Sequence, residues 1–225
     1  MLLVLVFATL FVGGHLLLSA ALVRDGLTRA IGERGFTLAY SLLAAASLGG
    51  LIFAYGEATR FVYWWGPDPE LYWLTKCLSW FGMVLLVGSF MSKNPSSMGQ
   101  EAQIDDEPYG VMRITRHPLM WGIALWALGH VIANGDAVSV VFFGAFAALA
   151  LAGGWHLDQK KLAEQGDGWR AFVARTSFVP LVALMTQPRR LRVSEQIGPV
   201  VLGSLLYVVL YWSHEYLAGV DLLVF

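Results

Sequence analysis

Charge is scarce in this chain and cysteine almost missing. Of its 225 residues 14% are charged and 57% apolar, with a mean hydropathy of +0.60. Soluble domains carry roughly 25% charge, so the composition excludes a soluble domain. One cysteine, Cys77, excludes an internal disulfide and a thiolate metal cluster. No loop is long enough to bury a core of its own, and a single membrane domain over 1–225 is expected. The amino terminus lacks the basic region of a signal peptide. It runs apolar from Leu2 to Val23, which predicts a retained first helix. The net charge of −1 says nothing of partners; the placement of the charges says more.

What is present is a series of long apolar runs. A hydrocarbon core about 30 Å thick takes roughly 20 helical residues. Five stretches meet this: Leu2 to Val23, Phe36 to Tyr55, Leu71 to Met91, Ala137 to Leu157 and Ile197 to about Trp212. A sixth, Leu119 to Ala133, is shorter and crosses if Arg116 snorkels. Phe178 to Met185 is too short before Pro188 and reads as a re-entrant or interfacial segment. The predicted fold is therefore all-α, an integral membrane bundle of six transmembrane helices. Loops 24–35, 92–118 and 158–196 hold thirteen of the fifteen lysines and arginines, leaving Arg60 and Lys76 for the other side. The positive-inside rule puts those loops in the cytoplasm and both termini outside. Tyr63-Trp64-Trp65-Gly66-Pro67 reads as part of an outer aromatic belt. Asp158 to Ser177 reads as a cytoplasmic amphipathic segment between helices 5 and 6, broken near Gly166 and Gly168, with cations for anionic lipid. Ser92 to Glu107 is the predicted mobile loop.

Ionisable groups at membrane depth are costly and mark function. His15 lies inside the first span, roughly 13 Å from its inner end. His130 lies inside the fourth, toward the outer end. His117 and His156 share the cytoplasmic rim, and His214 ends the sixth span as a wetted rim residue. For His15 and His130 a hydrogen bond to a neighbouring helix competes with metal or haem ligation. Spans one and four contain no cysteine or carboxylate, and two histidines are too few for zinc. Two are enough for haem iron, whose macrocycle fills the other four positions. Gly13, Gly14 and Gly129 either leave room for a flat ring or serve ordinary helix packing. The two histidines differ in depth by roughly 10 Å, a gap for helix tilt to close.

Gly110-Val111-Met112-Arg113-Ile114-Thr115-Arg116-His117-Pro118 opens the fourth span. Pro118 suits a first helical position. Arg113 and Arg116 beside free amides favour an anion: a lipid phosphate, a cofactor phosphate or a haem propionate. They also serve as a positive-inside anchor. With Leu119-Met120-Trp121-Gly122, Leu125-Trp126-Ala127-Leu128-Gly129-His130 and Asn134-Gly135-Asp136, this stretch resembles the NnrU family, which includes the cis-specific zeta-carotene isomerase. Gly14-His15, His156-Leu157-Asp158 with Lys161-Leu162, and Arg175-Thr176-Ser177 with Pro180 extend the resemblance over most of the chain.

The resemblance implies a membrane haem b protein with His15 and His130 as axial ligands. The expected location is the bacterial inner membrane, with Arg113 and Arg116 pairing with the propionates if the haem hangs toward the cytoplasmic side, and His117 a further cofactor-binding candidate. It implies cis–trans isomerisation of a polyene entering from the lipid, or a role in denitrification and nitric oxide metabolism. A non-catalytic assembly role is the alternative of another class. The expected partners are membrane lipid and an apolar small molecule, with no nucleic acid. Arg-His-Pro followed by Gly122 also resembles isoprenylcysteine and phospholipid methyltransferases, which bind S-adenosylmethionine. Their paired glutamates are replaced here by Asp158-Gln159, and that reading gives His15 no role.

Overall fold

The computed structural model describes residues 1–66, 68–96, 99–186, 191–220 and 222. Pro67, Pro188, Arg189 and Arg190, which enter the sequence reading above, lie outside them. Among the described residues the chain is helical, with one isolated bridge between Tyr63 and Asp136 and no strand. The helices are α1 (Leu2–Ser19), α2 (Ala21–Glu57), α3 (Pro69–Met91), α4 (Pro118–Asn134), α5 (Ala137–Gln165), α6 (Asp167–Arg175), α7 (Val182–Thr186), α8 (Val193–Trp212) and α9 (His214–Ala218). Five of them, α1, α2, α3, α5 and α8, are long and apolar enough to cross a membrane, and α4 is a shorter apolar helix.

The long helices neighbour one another in the order α2, α1, α5, α4, α3, α8, with α1 and α5 parallel: His156 near the end of α5 meets Ser19 at the end of α1. Small residues set how closely neighbours approach. A Cβ on Gly50 would lie 2.2 Å from the Phe7 ring, and one on Gly14 would lie 3.2 Å from Leu43. At the crossing of α3 and α4, a Cβ on Gly82 or Gly122 would sit 2.8 Å from the other's carbonyl oxygen. Lipid gives helices no hydrophobic reason to associate, so backbone-close packing of this kind has to hold them. Thr75 adds a hydrogen bond of 2.8 Å to the Gly129 carbonyl across the same pair. Gly129 thus seats α4 on α3. A Cβ at Gly13, by contrast, would meet nothing within 4 Å.

Three sequence-based boundaries move. The first span ends at Ser19, where Ala20 turns extended. The predicted loop 24–35 is helical, broken only at Gly32 with φ +75°. Residues 158–165 continue α5, and the break comes at Gly166, φ +53°. The amphipathic helix α6 that follows turns its apolar face inward. Trp169 and Phe172 are buried against Met112, with Ile104, Leu162 and Val173 around them. The described part of loop 92–107 is tied down as well: Arg175 donates to the carbonyls of Ile104, Asp105 and Asp106 at 2.9, 3.3 and 3.4 Å, and Lys93 pairs with Asp106.

Candidate functional site

The two ends of α4 carry the residues singled out in the sequence, and they are built differently. At the N-terminal end, a 3-10 turn (Gly110–Arg113) leads into His117 and the helix-starting Pro118. Arg113 lies in a cage of carboxylates. It donates to Glu195 of α8 at 2.7 and 3.2 Å and to Glu107 at 3.2 Å. Glu195 also accepts from the Gly110 amide at 2.9 Å. The hydrogen bond to Glu195 holds the Arg113 pKa above its ordinary value against the opposing pull of burial. Arg116 makes a two-toothed contact with Asp158 of α5, its Nε lying 3.0 and 2.9 Å from the two oxygens. His117 Nε2 reaches the same carboxylate at 2.8 Å. Phe178 covers both, its ring 5.3 Å from His117 and 5.5 Å from the Arg116 guanidinium.

Segment 177–181 is pinned to the same turn. The Arg116 amide donates to Ser177 O, the Leu181 amide to Ile114 O, and Thr115 Oγ1 to Phe178 O. The stretch read as re-entrant or interfacial is an anchored strap running into α7. The anion that Arg113 and Arg116 were expected to attract is internal: carboxylates of α5, α8 and the preceding loop neutralise them. A haem propionate or lipid phosphate would have to displace those partners. Asp158, the one carboxylate left for a methyltransferase-type cofactor, is likewise occupied by Arg116 and His117.

The C-terminal end is apolar and aromatic. His130 Nδ1 donates to the Trp126 carbonyl at 2.8 Å. A carbonyl only accepts, so the lone pair falls on Nε2. The ring lies 4.7 Å from Phe143, 4.9 Å from Trp126 and 6.3 Å from His214. The helix then ends at Gly135, φ +68°, where a Cβ would collide with the Trp65 carbonyl at 2.2 Å. Trp65 closes over this turn by donating from Nε1 to Ile132 O. Asp136 caps α5 through the Ser139 amide and pairs with Arg60 at 3.8 Å. Asn-Gly-Asp is therefore a turn between α4 and α5 that leaves Asp136 buried and engaged.

His15 sits elsewhere. Its Nδ1 donates to Phe11 O at 2.6 Å, its ring meets Phe11 and Tyr40, and it lines a cleft made by α1 and α2 with Leu10, Leu18 and Leu43. The donor chemistry of an iron ligand is present at both His15 and His130: Nδ1 committed, Nε2 available. The pair does not bracket one macrocycle in this arrangement. Phe11, Phe146 and Trp126 form a continuous chain of rings between them, with successive centroid distances from His15 to His130 of 4.8, 5.3, 5.7 and 4.9 Å. The physical reason is that α1 and α4 each pack on α5, whose Phe146 stands between them. His156 donates to Ser19 O at 3.0 Å, bracing the break after α1, and does not meet His117's cluster. The neighbour that sequence reasoning missed is His214. It shares the outer depth of His130, and that shared depth was the available signal.

Comparison with known proteins adds a family. The chain is 28% identical over 127 residues to a protein named 15-cis-zeta-carotene isomerase, chloroplastic, from Zea mays, an alignment covering 54% of this chain and 32% of the maize protein. The Arabidopsis thaliana protein of that name is 35% identical over 75 residues, covering 33% of this chain and 20% of its own length. The matched region thus spans about a third or less of these relatives. No solved structure matches. The NnrU protein family matches residues 2–222. That reach takes in all nine helices described above, and on it the chain belongs to the NnrU protein family.

Proposed function

We propose that this chain is a bacterial inner-membrane isomerase that converts one cis double bond of a long apolar polyene, of the zeta-carotene type, to trans, with haem b as its cofactor. One observation carries the reading: His130 Nε2 has no hydrogen-bond partner among the described residues and lies in an aromatic setting. The isomerase names of the curated relatives favour a polyene over nitric oxide as the molecule handled there. Haem iron, when bound, supplies a redox-active centre able to weaken π bonding in a conjugated chain. The family resemblance assigns His15 and His130 to that iron. Holding both would require the Phe11–Phe146–Trp126 ring chain to part.

What the chain's own residues do follows from their surroundings. Isomerisation moves no atoms between molecules and needs no proton donor, so a wall of Phe142, Phe143, Phe146 and Trp126 suffices to orient a polyene and exclude water. In our topology six helices cross, the basic loops face the cytoplasm and both termini face outward. The carboxylate-locked start of α4 then anchors that helix at the inner rim while His130 reaches toward the outer half. The test is conversion of 15-cis-zeta-carotene in darkness by the full-length chain, haem-loaded in liposomes, with isomers separated by chromatography. The expected result is protein-dependent loss of the 15-cis isomer that His130→Ala abolishes. No conversion by the haem-loaded protein would refute the reading.

A further inference from the structure

Two amphipathic helical stretches treat their apolar faces in opposite ways. α6 packs Trp169 and Phe172 against Met112. The other is the opening of α2, residues 21–31, which ends where Gly32 leaves the helical region at φ +75° and ψ 163°. At about 100° per residue, positions 22–31 divide without exception. Leu22, Val23, Gly26, Leu27, Ala30 and Ile31 fill one half of the helix surface, and Arg24, Asp25, Thr28 and Arg29 fill the other. The protein engages the polar half. Arg24 pairs with Glu33 at 2.6 Å, and its guanidinium lies 5.6 Å from the centre of the Phe36 ring. In a straight helix residues 24 and 36 would stand about 18 Å apart along the axis, so the chain bends sharply at Gly32. The apolar half is bare. Leu22 is 90% exposed, Ile31 51% and Leu27 37%, and a Cβ on Gly26 would meet nothing within 4 Å.

We infer that residues 21–31 form a membrane-surface helix. Its apolar half beds into the headgroup zone of the leaflet at the Ser19 end of α1, with a preference for anionic phospholipid. Covalent continuity selects the occupant. α1 is 18 residues long, about 27 Å of helix, against a hydrocarbon core of about 30 Å. Ala20, extended, alone separates its end from the start of α2. Leu22 therefore emerges where acyl chains give way to headgroups. The outward apolar surface of α1 continues to that point, with Leu17 60% exposed. At that depth an apolar half opposite a charged half fits a helix lying in the interface plane. Charge selects the lipid. Arg24 and Glu33 cancel each other. Arg29 donates from Nε to the Asp25 carbonyl at 3.1 Å, and neither Arg29 nor Arg34 has a carboxylate partner among the described residues. Set against Asp25, they leave one net positive charge. A basic residue near an anionic surface favours it about fivefold. That this leaflet is the cytoplasmic one rests on the topology proposed above; the docking does not.

The experiment places single cysteines along the helix in a Cys77→Ser background of the full-length chain and labels each with an environment-sensitive fluorophore. The protein is held in lipid nanodiscs, which leave both membrane faces open to solution. Labels at Leu22→Cys, Leu27→Cys and Ile31→Cys are expected to emit to the blue and to be quenched by phospholipid spin-labelled near its headgroup. Labels at Asp25→Cys and Arg29→Cys should instead be quenched by aqueous iodide. That alternation around the helix is a pattern that a misfolded variant cannot give. Equal iodide quenching on both halves overturns the docking. Apolar-half labels protected from iodide but not quenched by the spin-labelled lipid overturn it as well, because a protein, a second copy included, would then cover the face. In nanodiscs of mixed phosphatidylglycerol and phosphatidylcholine, the Ile31→Cys label should report about fivefold enrichment of the spin-labelled anionic lipid. Arg29→Gln with Arg34→Gln should abolish that enrichment. Equal quenching by the two lipids beside the unaltered arginines overturns the anionic preference. None of these readouts depends on haem or on isomerase activity.

Discussion

Asp158→Ala tests whether the Arg-His-Pro motif is a structural lock. The Asp158 carboxylate accepts from Arg116 Nε and Nη2 and from His117 Nε2. The Arg116 and Asp158 side chains are each 10% exposed and that of His117 is 1% exposed. Removing the carboxylate leaves a guanidinium buried without its counter-charge. Breaking a buried pair by deleting one partner costs about 3–5 kcal/mol, most of it the desolvation of the charge left behind. For a chain of this size that is roughly 6–20 °C in melting temperature. The assay is thermal unfolding of the detergent-solubilised protein followed by tryptophan fluorescence. Replacing both members with apolar residues, Arg116→Met with Asp158→Leu, should recover most of the loss, because the desolvation penalty disappears with the charge. An Asp158→Ala protein melting within about 2 °C of wild type would refute the lock, since the loss would then be under roughly 1 kcal/mol. Failure of the double variant to recover would mean that His117, not Arg116, is what Asp158 serves.

Gly122→Leu places a branched side chain against the backbone of α3, with the Cβ 2.8 Å from Gly82 O. Overpacking of this kind costs about 1–3 kcal/mol or more where backbone must move, and a lowered melting temperature with a broadened size-exclusion peak should report it. Gly135→Ala combines a positive φ with a Cβ 2.2 Å from Trp65 O. It should cost more than the roughly 1–2 kcal/mol of placing an L residue in the left-handed region and raise Trp65 exposure to an aqueous fluorescence quencher. Arg175→Ala removes the donors that pin residues 104–106. Protease cleavage within 99–107 should accelerate while overall melting changes little.

How far the architecture was readable depends on what each signal measures. Apolar run length found all six long or near-spanning helices, because hydrocarbon thickness imposes it. Run length could not find the break at Ala20 or the helix through 24–35: a polar segment with good helix formers such as Leu27, Ala30 and Ile31 stays helical at an interface without looking transmembrane. The arginines of the motif were legible as charges needing partners, but their partners were not. Glu195 and Asp158 lie 82 and 42 residues away, and nothing in local sequence joins positions so distant. The same limit hid the separation of His15 from His130. Depth along each helix is countable from sequence, whereas the angular position about α5 is not. That angle places Phe146 between them.

The glycines beside the histidines mark the same boundary from the other direction. Gly129, read either as room for a flat ring or as ordinary helix packing, is the seat of Thr75, because position i−1 of a helix faces about 100° away from position i. A small residue next to His130 therefore reports on α3, while His130 itself faces α5 and α9. The motif of α4 then divides by helical face and by end. Its charged start is neutralised by α5 and α8 and fixes the helix in register. Gly122 and Gly129 fix its distance from α3. Among the described residues, nothing hydrogen-bonds to His130 Nε2. A helix fixed on three sides holds that nitrogen to one position without spending any chemistry of its own near it.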